Sequence, residues 1–266
     1  MTDPISLMHA VKDSQPEEIY NLAAQSYVGA SWRQPHLTTA VTGVGALNMI
    51  EATREYANKA KFYQASTSEL FGNSNTNGTQ NENTPFEPRS PYGFAKLYAF
   101  HAIKNYRESY NMFACNGILF NHESERRGME FVTRKVTNGV AMIKHGLAKE
   151  IKLGNLDSKR DWGFAGDYVE AMWLMLQQQK PEDFVIATGQ THSVRELVEK
   201  SFNCAGIKDW EQYVIVDPNL VRPAEVFTLK GDASKANNIL GWKPKMTFDQ
   251  LVESMVKSDI DRLGKA

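Results

Sequence analysis

Cysteine is nearly absent from this chain: Cys115 and Cys204 are the only two in 266 residues, and they form no Cys-x-x-Cys pair. That excludes a disulfide framework and predicts reduced, structural thiols in a cytoplasmic chain. Long apolar runs are missing as well. Residues 1–11 read as a mixed polar and apolar helix rather than a charged segment followed by an apolar core, so neither a signal peptide nor a membrane span is expected. There is no excess of either charge: Lys and Arg number 30 against 31 Asp and Glu, a formal net charge of -1. Such a balance gives no pull toward nucleic acid or an anionic membrane, and neither is expected as a partner. The histidines show no His-x-x-x-His or clustered spacing, so no metal site is predicted. Internal repeats and low-complexity tracts are lacking too.

What is present is a hydrophobic content of 42%, ample for a packed core. Residues 2–14 read as a helix with Thr2 or Asp3 as its cap, 17–24 as a strand ending in small residues, and 41–56 as a helix. Further strands are expected after Lys61-Phe62-Tyr63, with residues 64–69 as the C-terminal end, at 113–120 and at 183–189. Helices are expected at 132–147, 167–178, 193–204 and 248–263, with a short strand and turn at 151–155. Ser193 and Glu196 stand in capping-box spacing. This alternation predicts an α/β fold with a doubly wound parallel sheet. The polar run 72–83 reads as a loop. It contains Asn77-Gly78-Thr79, which has the form of a glycosylation acceptor and is expected to be a chance match.

The chemistry concentrates between Gln64 and Lys96. Gln64-Ala65-Ser66-Thr67-Ser68-Glu69 follows an apolar strand pattern, and ligands of open α/β sheets collect at such strand ends. Ser90-Pro91-Tyr92-Gly93-Phe94-Ala95-Lys96 reads as a helix start, with Ser90 as N-cap and Pro91 at the first helical position. Tyr92 and Lys96, four apart, then share one face. A phenol with a pKa of about 10 is a poor base at neutral pH. A nearby ammonium favours the phenolate, which predicts Tyr92 as an acid/base supported by Lys96. Thr67 is placed to hydrogen-bond the same substrate oxygen, and Glu69 to act as a separate base at a neighbouring carbon. The small residues of Leu22-Ala23-Ala24-Gln25-Ser26 suit either close approach of a cofactor or tight packing of strand on helix.

The Ser-Thr-Ser-Glu strand end, the Tyr-x-x-x-Lys helix and Arg89-Ser90-Pro91-Tyr92 resemble the extended short-chain dehydrogenases/reductases. Asn116-Gly117-Ile118-Leu119-Phe120-Asn121-His122-Glu123-Ser124, Arg126-Arg127-Gly128 and Phe131-Val132-Thr133-Arg134-Lys135 resemble one branch of that superfamily, the GDP-mannose 4,6-dehydratases. The resemblance implies a Rossmann-like NADP-binding domain over 1–130 and a smaller nucleotide-sugar lobe over 131–266, with 165–190 returning to the sheet. It implies Thr67, Glu69, Tyr92 and Lys96 as catalytic residues, and His122 and Arg127, with residues 22–26, Tyr92 and Lys96, beside NADP. Arg126-Arg127-Gly128 alone would read equally as a solvated basic turn. For GDP-mannose it implies Arg222 and Glu225, with Ser68, Asn121, Lys135 and Arg160 as further candidates; an arginine fork suits a diphosphate. A homo-oligomer, dimer or tetramer, is expected, with the Tyr92 helix at an interface.

The chain departs from the family in two places. A Rossmann domain opens with a strand and a Gly-rich turn that seats a pyrophosphate. Here Gly43-Val44-Gly45 lies inside a helical pattern and reads as close packing. Relative to the family, the chain is expected to begin partway through the nucleotide-binding domain, about three strands in. An internal start, a fragment and a natural truncation would all read this way. Leu37 stands where the family carries Tyr after Pro35, so no cofactor contact is assigned there. The activity implied is conversion of GDP-mannose to GDP-4-keto-6-deoxymannose, an NADP-mediated internal redox with loss of water. The alternatives are a related nucleotide-sugar reductase or epimerase, and a non-catalytic relative that binds a nucleotide sugar or a partner.

Overall fold

The computed structural model describes residues 1–75, 78–220 and 223–265. In chain order its first half runs α1 (Pro4–Ser14), β1 (Glu18–Asn21), α2 (Val28–Ser31), α3 (Pro35–Thr38), a π-helical stretch (Thr39–Val44), α4 (Gly45–Tyr56), β2 (Lys61–Ala65), α5 (Pro91–Tyr110), β3 (Ala114–Leu119) and β4 (Asn121–Glu123). Then come α6 (Val132–Lys144), β5 (Ile151–Leu153), β6 (Lys159–Arg160), β7 (Trp162–Phe164), α7 (Ala165–Leu176), β8 (Phe184–Ile186), β9 (His192–Ser193) and α8 (Val194–Cys204). The chain closes with β10 (Val214–Val216), α9 (Ser234–Leu240) and α10 (Phe248–Gly264).

The central sheet has the order β1-β2-β3-β8, with every neighbouring pair parallel. β3 and β8 are buried along their whole length, and β2 from its second residue on, as parallel strands covered on both faces require. On one face, Ile50 and Ile103 from α4 and α5 pack against Phe62 and Ala114. On the other, Tyr168, Met172 and Met175 of α7, joined by Trp242, cover Tyr63, Cys115 and Phe184. A separate core joins α6, α8 and α10 through Val140, Phe202, Leu251 and Met255. The α/β fold expected from the alternation is the one observed.

Local chemistry explains the element boundaries. Asp3 caps α1 by accepting from the Ile5 N–H at 3.0 Å. Ser90 Oγ accepts from the Gly93 N–H at 3.0 Å, Pro91 opens α5, and Asn111 ends it in the left-handed region at φ 53°. The Ser193/Glu196 capping box is formed on α8. Two expected elements differ. β1 stops at Asn21 rather than 24, because the chain leaves the sheet there and turns Leu22, Ala24 and Ser26 to the cavity wall. The helix expected over 41–56 begins as a π-helical stretch packed against α5, and a Cβ on Gly43 would lie 3.3 Å from the Ala95 carbonyl. Asn77 of the glycosylation-like triplet lies outside the described residues. No helix among the described residues is long and apolar enough to cross a membrane.

Candidate active site

A cavity of about 420 Å³ opens at the carboxyl end of the sheet, between it and the α6/α8/α10 core. Four segments supply its chemistry. β2 delivers Thr67, Ser68 and Glu69, α5 delivers Tyr92 and Lys96, and β4 delivers Asn121 and His122 with Arg127 in the following turn. From later in the chain come Lys135, Arg160 and Glu225. Leu22, Ala24 and Ser26 form part of the wall.

Ala23 and Gln25 do not line the cavity. Gln25 is turned toward the neighbouring helices, its N–H bonded to Thr42 Oγ1 at 3.0 Å and its Oε1 accepting from Thr38 at 3.0 Å. Arg222 lies outside the described residues. No group of His, Cys, Asp and Glu suited to a metal occurs among the described residues.

The strand-end turn is held by Thr67, whose Oγ1 accepts from the Glu69 N–H at 3.2 Å and caps the short 3-10 turn Ser68–Leu70. The absence of a side chain on Gly93 lets α5 start close to this turn: a Cβ there would lie 3.3 Å from the Glu69 carbonyl. Tyr92 is thereby buried beside Thr67, which hydrogen-bonds its hydroxyl. Lys96 is 3% exposed, with its Nζ donating to the Ala65 carbonyl at 2.7 Å.

The electrostatics differ from the sequence expectation. Burial pushes Tyr92 up to about 12 and the charge of Glu69 adds to the rise, while the Thr67 hydrogen bond and Arg127 pull the other way. Burial brings Lys96 down to about 8. The ammonium is tied to the Ala65 carbonyl, 5.8 Å from the Tyr92 ring centre, so in this resting arrangement desolvation outweighs its pull on the phenol.

His122 donates from Nδ1 to the Phe120 carbonyl at 2.8 Å, which leaves Nε2 as an acceptor. Burial lowers its pKa to about 4, so the ring is neutral. It also stacks on Tyr168 with ring centres 4.9 Å apart.

Sequence reading missed Glu123 and Phe131. Glu123 is buried, accepts from Thr133 Oγ1 at 2.6 Å and lies 3.1 Å from the Arg127 guanidinium. That guanidinium sits 3.5 Å above the Phe131 ring. The four-residue spacing of Glu123 and Arg127 is a signal of pairing only in a helix, and this segment is a strand and turn. On the cavity wall, Arg160 lies 3.6 Å from Glu225. Burial lowers the Lys135 pKa, with Asp217 acting against the shift.

A helix-covered parallel sheet with a Tyr/Lys helix and a Thr/Glu strand end at its carboxyl edge defines a Rossmann-like protein of the short-chain dehydrogenase/reductase type. The fold is similar to RMD from Pseudomonas aeruginosa, solved with NADPH, at a TM-score of 0.87 and 24% identity, covering 98% of this chain and 85% of that one. It is equally similar to Thermus thermophilus UDP-glucose 4-epimerase, solved with NAD, at a TM-score of 0.87 and 25% identity over 97% of this chain and 82% of that one. The family profile described as GDP-mannose 4,6 dehydratase matches residues 1–255. GDP-mannose 4,6 dehydratase 2 of Arabidopsis thaliana is 52% identical over 265 residues, covering 98% of this chain and 70% of the plant protein. The human GDP-mannose 4,6 dehydratase is 52% identical over 279 residues, covering 98% and 75%. The chain belongs to the GDP-mannose 4,6-dehydratase family.

Proposed function

We propose that this chain converts GDP-mannose to GDP-4-keto-6-deoxymannose and uses NADP. The observation that carries this reading is the place of Glu69. It shares one cavity with Tyr92, close enough for its charge to raise the phenol's pKa, and beside Thr67. A reduction or epimerisation needs the Tyr/Lys pair but no second base, whereas dehydration needs one.

The cavity wall fits a nicotinamide nucleotide. Ala24 and Ser26 leave room against the backbone, Lys96 and Arg127 offer cationic donors, and neutral His122 presents an acceptor. When bound, the cofactor supplies a hydride acceptor for C4 and the hydride donor for C6, so none is consumed. Tyr92, aligned by Thr67 and supported by Lys96, takes the proton of the C4 hydroxyl. The resulting ketone acidifies C5; Glu69 removes that proton and passes it to the C6 hydroxyl, which leaves as water, and Tyr92 returns its own proton to C5 as C6 is reduced. Arg160, Lys135 and Glu225 would hold the nucleotide, with Ser68 and Asn121 at the sugar.

The test is turnover. The purified chain is incubated with GDP-mannose, with and without added NADP, and the product is examined by mass spectrometry for loss of water. Dehydrated product supports the reading, and intact GDP-mannose from a folded sample overturns it.

A further inference from the structure

Two buried amides lie beneath the cavity and have no part in the chemistry above. Asn21 closes β1 and Gln64 stands opposite it on β2, at 4% and 0% exposure. Buried amides must find partners, and these form a chain. The Ala23 N–H donates to Asn21 Oδ1 at 3.3 Å, and Asn21 Nδ2 donates to Gln64 Oε1 at 2.7 Å. Gln64 Nε2 then donates to the Ala65 carbonyl at 3.1 Å, the same oxygen that accepts from Lys96 Nζ at 2.7 Å.

The polarity of this chain is fixed from both ends. A carbonyl only accepts, so Gln64 must present Nε2 to Ala65 and Oε1 to Asn21. A backbone N–H only donates, so Asn21 must present Oδ1 to Ala23 and Nδ2 to Gln64. Turning either amide would set oxygen against oxygen or N–H against N–H. Among the described residues no carboxylate is paired with Lys96, so the shared Ala65 oxygen is its hydrogen-bond acceptor.

We propose that Asn21 and Gln64 are positioning residues for Lys96: the Gln64 amide occupies part of the Ala65 carbonyl, weakens its hold on the ammonium, and leaves the ammonium free to turn to a ligand. The relay also ties that ammonium to the 22–26 wall, so the two sides of the cavity are set by one hydrogen-bonded string. Burial lowers Lys96 to about 8, and the neutral Ala65 carbonyl brings no charge to oppose that fall. Other titratable or charged groups around this end of the cavity are Tyr92 on the same helix, His122 on β4, Glu69 after β2, and Arg127 in the turn after β4. None is altered in the variants below.

The proposal rests on Lys96 being the partner of Tyr92, yet its test needs no turnover. Lysine labelled with carbon-13 at Cε is followed by NMR as pH is raised, with the Lys96 signal assigned from Lys96→Met. In Gln64→Met the Ala65 carbonyl belongs to Lys96 alone, and the titration midpoint should rise by about half a pH unit, a factor of about three in the ionisation constant. Asn21→Ser, which leaves β2 untouched, should move the midpoint the same way because the Gln64 amide loses its fixed orientation. The double variant should rise no further than Gln64→Met alone. An unchanged midpoint in whichever of these variants folds, or additive shifts in the pair, overturns the relay. A shifted midpoint in a chain that does not dehydrate GDP-mannose would keep the relay and remove the proposed function.

Discussion

Arg134 on α6 and Asp259 on α10 form a buried forked ion pair, with Nη2 to Oδ1 at 2.7 Å and Nε to Oδ2 at 3.0 Å. Thr137 adds a hydrogen bond to the same carboxylate at 2.8 Å. The third guanidinium nitrogen, Nη1, donates to the carbonyls of Glu125 and Arg127, so the pair joins the last helix to the turn that carries Arg127 into the cavity.

Breaking this pair from one side leaves an uncompensated buried charge. Asp259→Ala should therefore destabilise the fold by about 3–5 kcal/mol. Urea unfolding of both proteins checks the figure. A loss below about 1 kcal/mol would mean that water or another group takes over the guanidinium.

His122 gives stability a specific pH dependence. Its folded pKa, about 4, lies below the ordinary 6.5. Between these values the unfolded chain binds a proton that the folded chain refuses, so this group's contribution is present above pH 6.5 and is lost as pH falls toward 4. The loss amounts to at most about 3 kcal/mol. Buried Glu123 and Asp161, whose pKa values burial raises, slope the opposite way, so the informative quantity is the difference between the parent and His122→Asn. Stability of His122→Asn should fall less steeply between pH 6.5 and 4. Parallel pH profiles would show that the imidazole titrates normally.

Much of this site is legible in the sequence because local rules place it. Ser90 and Pro91 define where α5 starts, and that start places Tyr92 and Lys96 on one face without reference to the rest of the chain. Thr67 and Glu69 follow from the end of a short apolar strand. The remainder depends on packing between distant segments. Gln25 turns away because Thr38, at the end of α3, bonds its side chain and Thr42, in the π-helical stretch, bonds its backbone N–H. The rise in the Tyr92 pKa comes from burial in the assembled fold, which no local pattern reveals. Glu123 is the same kind of case: its pairing with Arg127 needs a turn geometry set by Arg134 and Asp259.

Arg160 and Glu225 give a prediction for the second lobe. Their 3.6 Å separation is an ion pair rather than a tight hydrogen bond, and both side chains line the cavity, where the charge of the guanidinium faces an anionic ligand. Arg160→Met should weaken binding of GDP about tenfold or more, while Arg160→Lys, which keeps the charge but loses the fork, should fall between. Isothermal titration with GDP measures both. Equal affinities in all three proteins would move the diphosphate away from Arg160.

Glu69 and Tyr92 divide the proposed reaction between them, and variants of the two should fail at different stages. Tyr92→Phe removes the base for the C4 hydroxyl, so neither reduced nicotinamide nor dehydrated sugar should form. Glu69→Gln leaves Tyr92 and Lys96 in place, so oxidation at C4 remains open while removal of the C5 proton does not. Dehydration should drop by about 10²–10⁴-fold, the usual weight of a general base. Binding of GDP-mannose should persist, and absorbance of the reduced nicotinamide should appear without loss of water. Glu69 also raises the Tyr92 pKa through its charge, so the neutral glutamine should lower that pKa and move the rising, acid-side limb of any C4 oxidation profile to lower pH. Rapid-mixing absorbance with mass spectrometry of the same samples separates the two stages. Full turnover in Glu69→Gln would leave the second base elsewhere in the cavity, which Glu123, Glu130 and Glu225 also line.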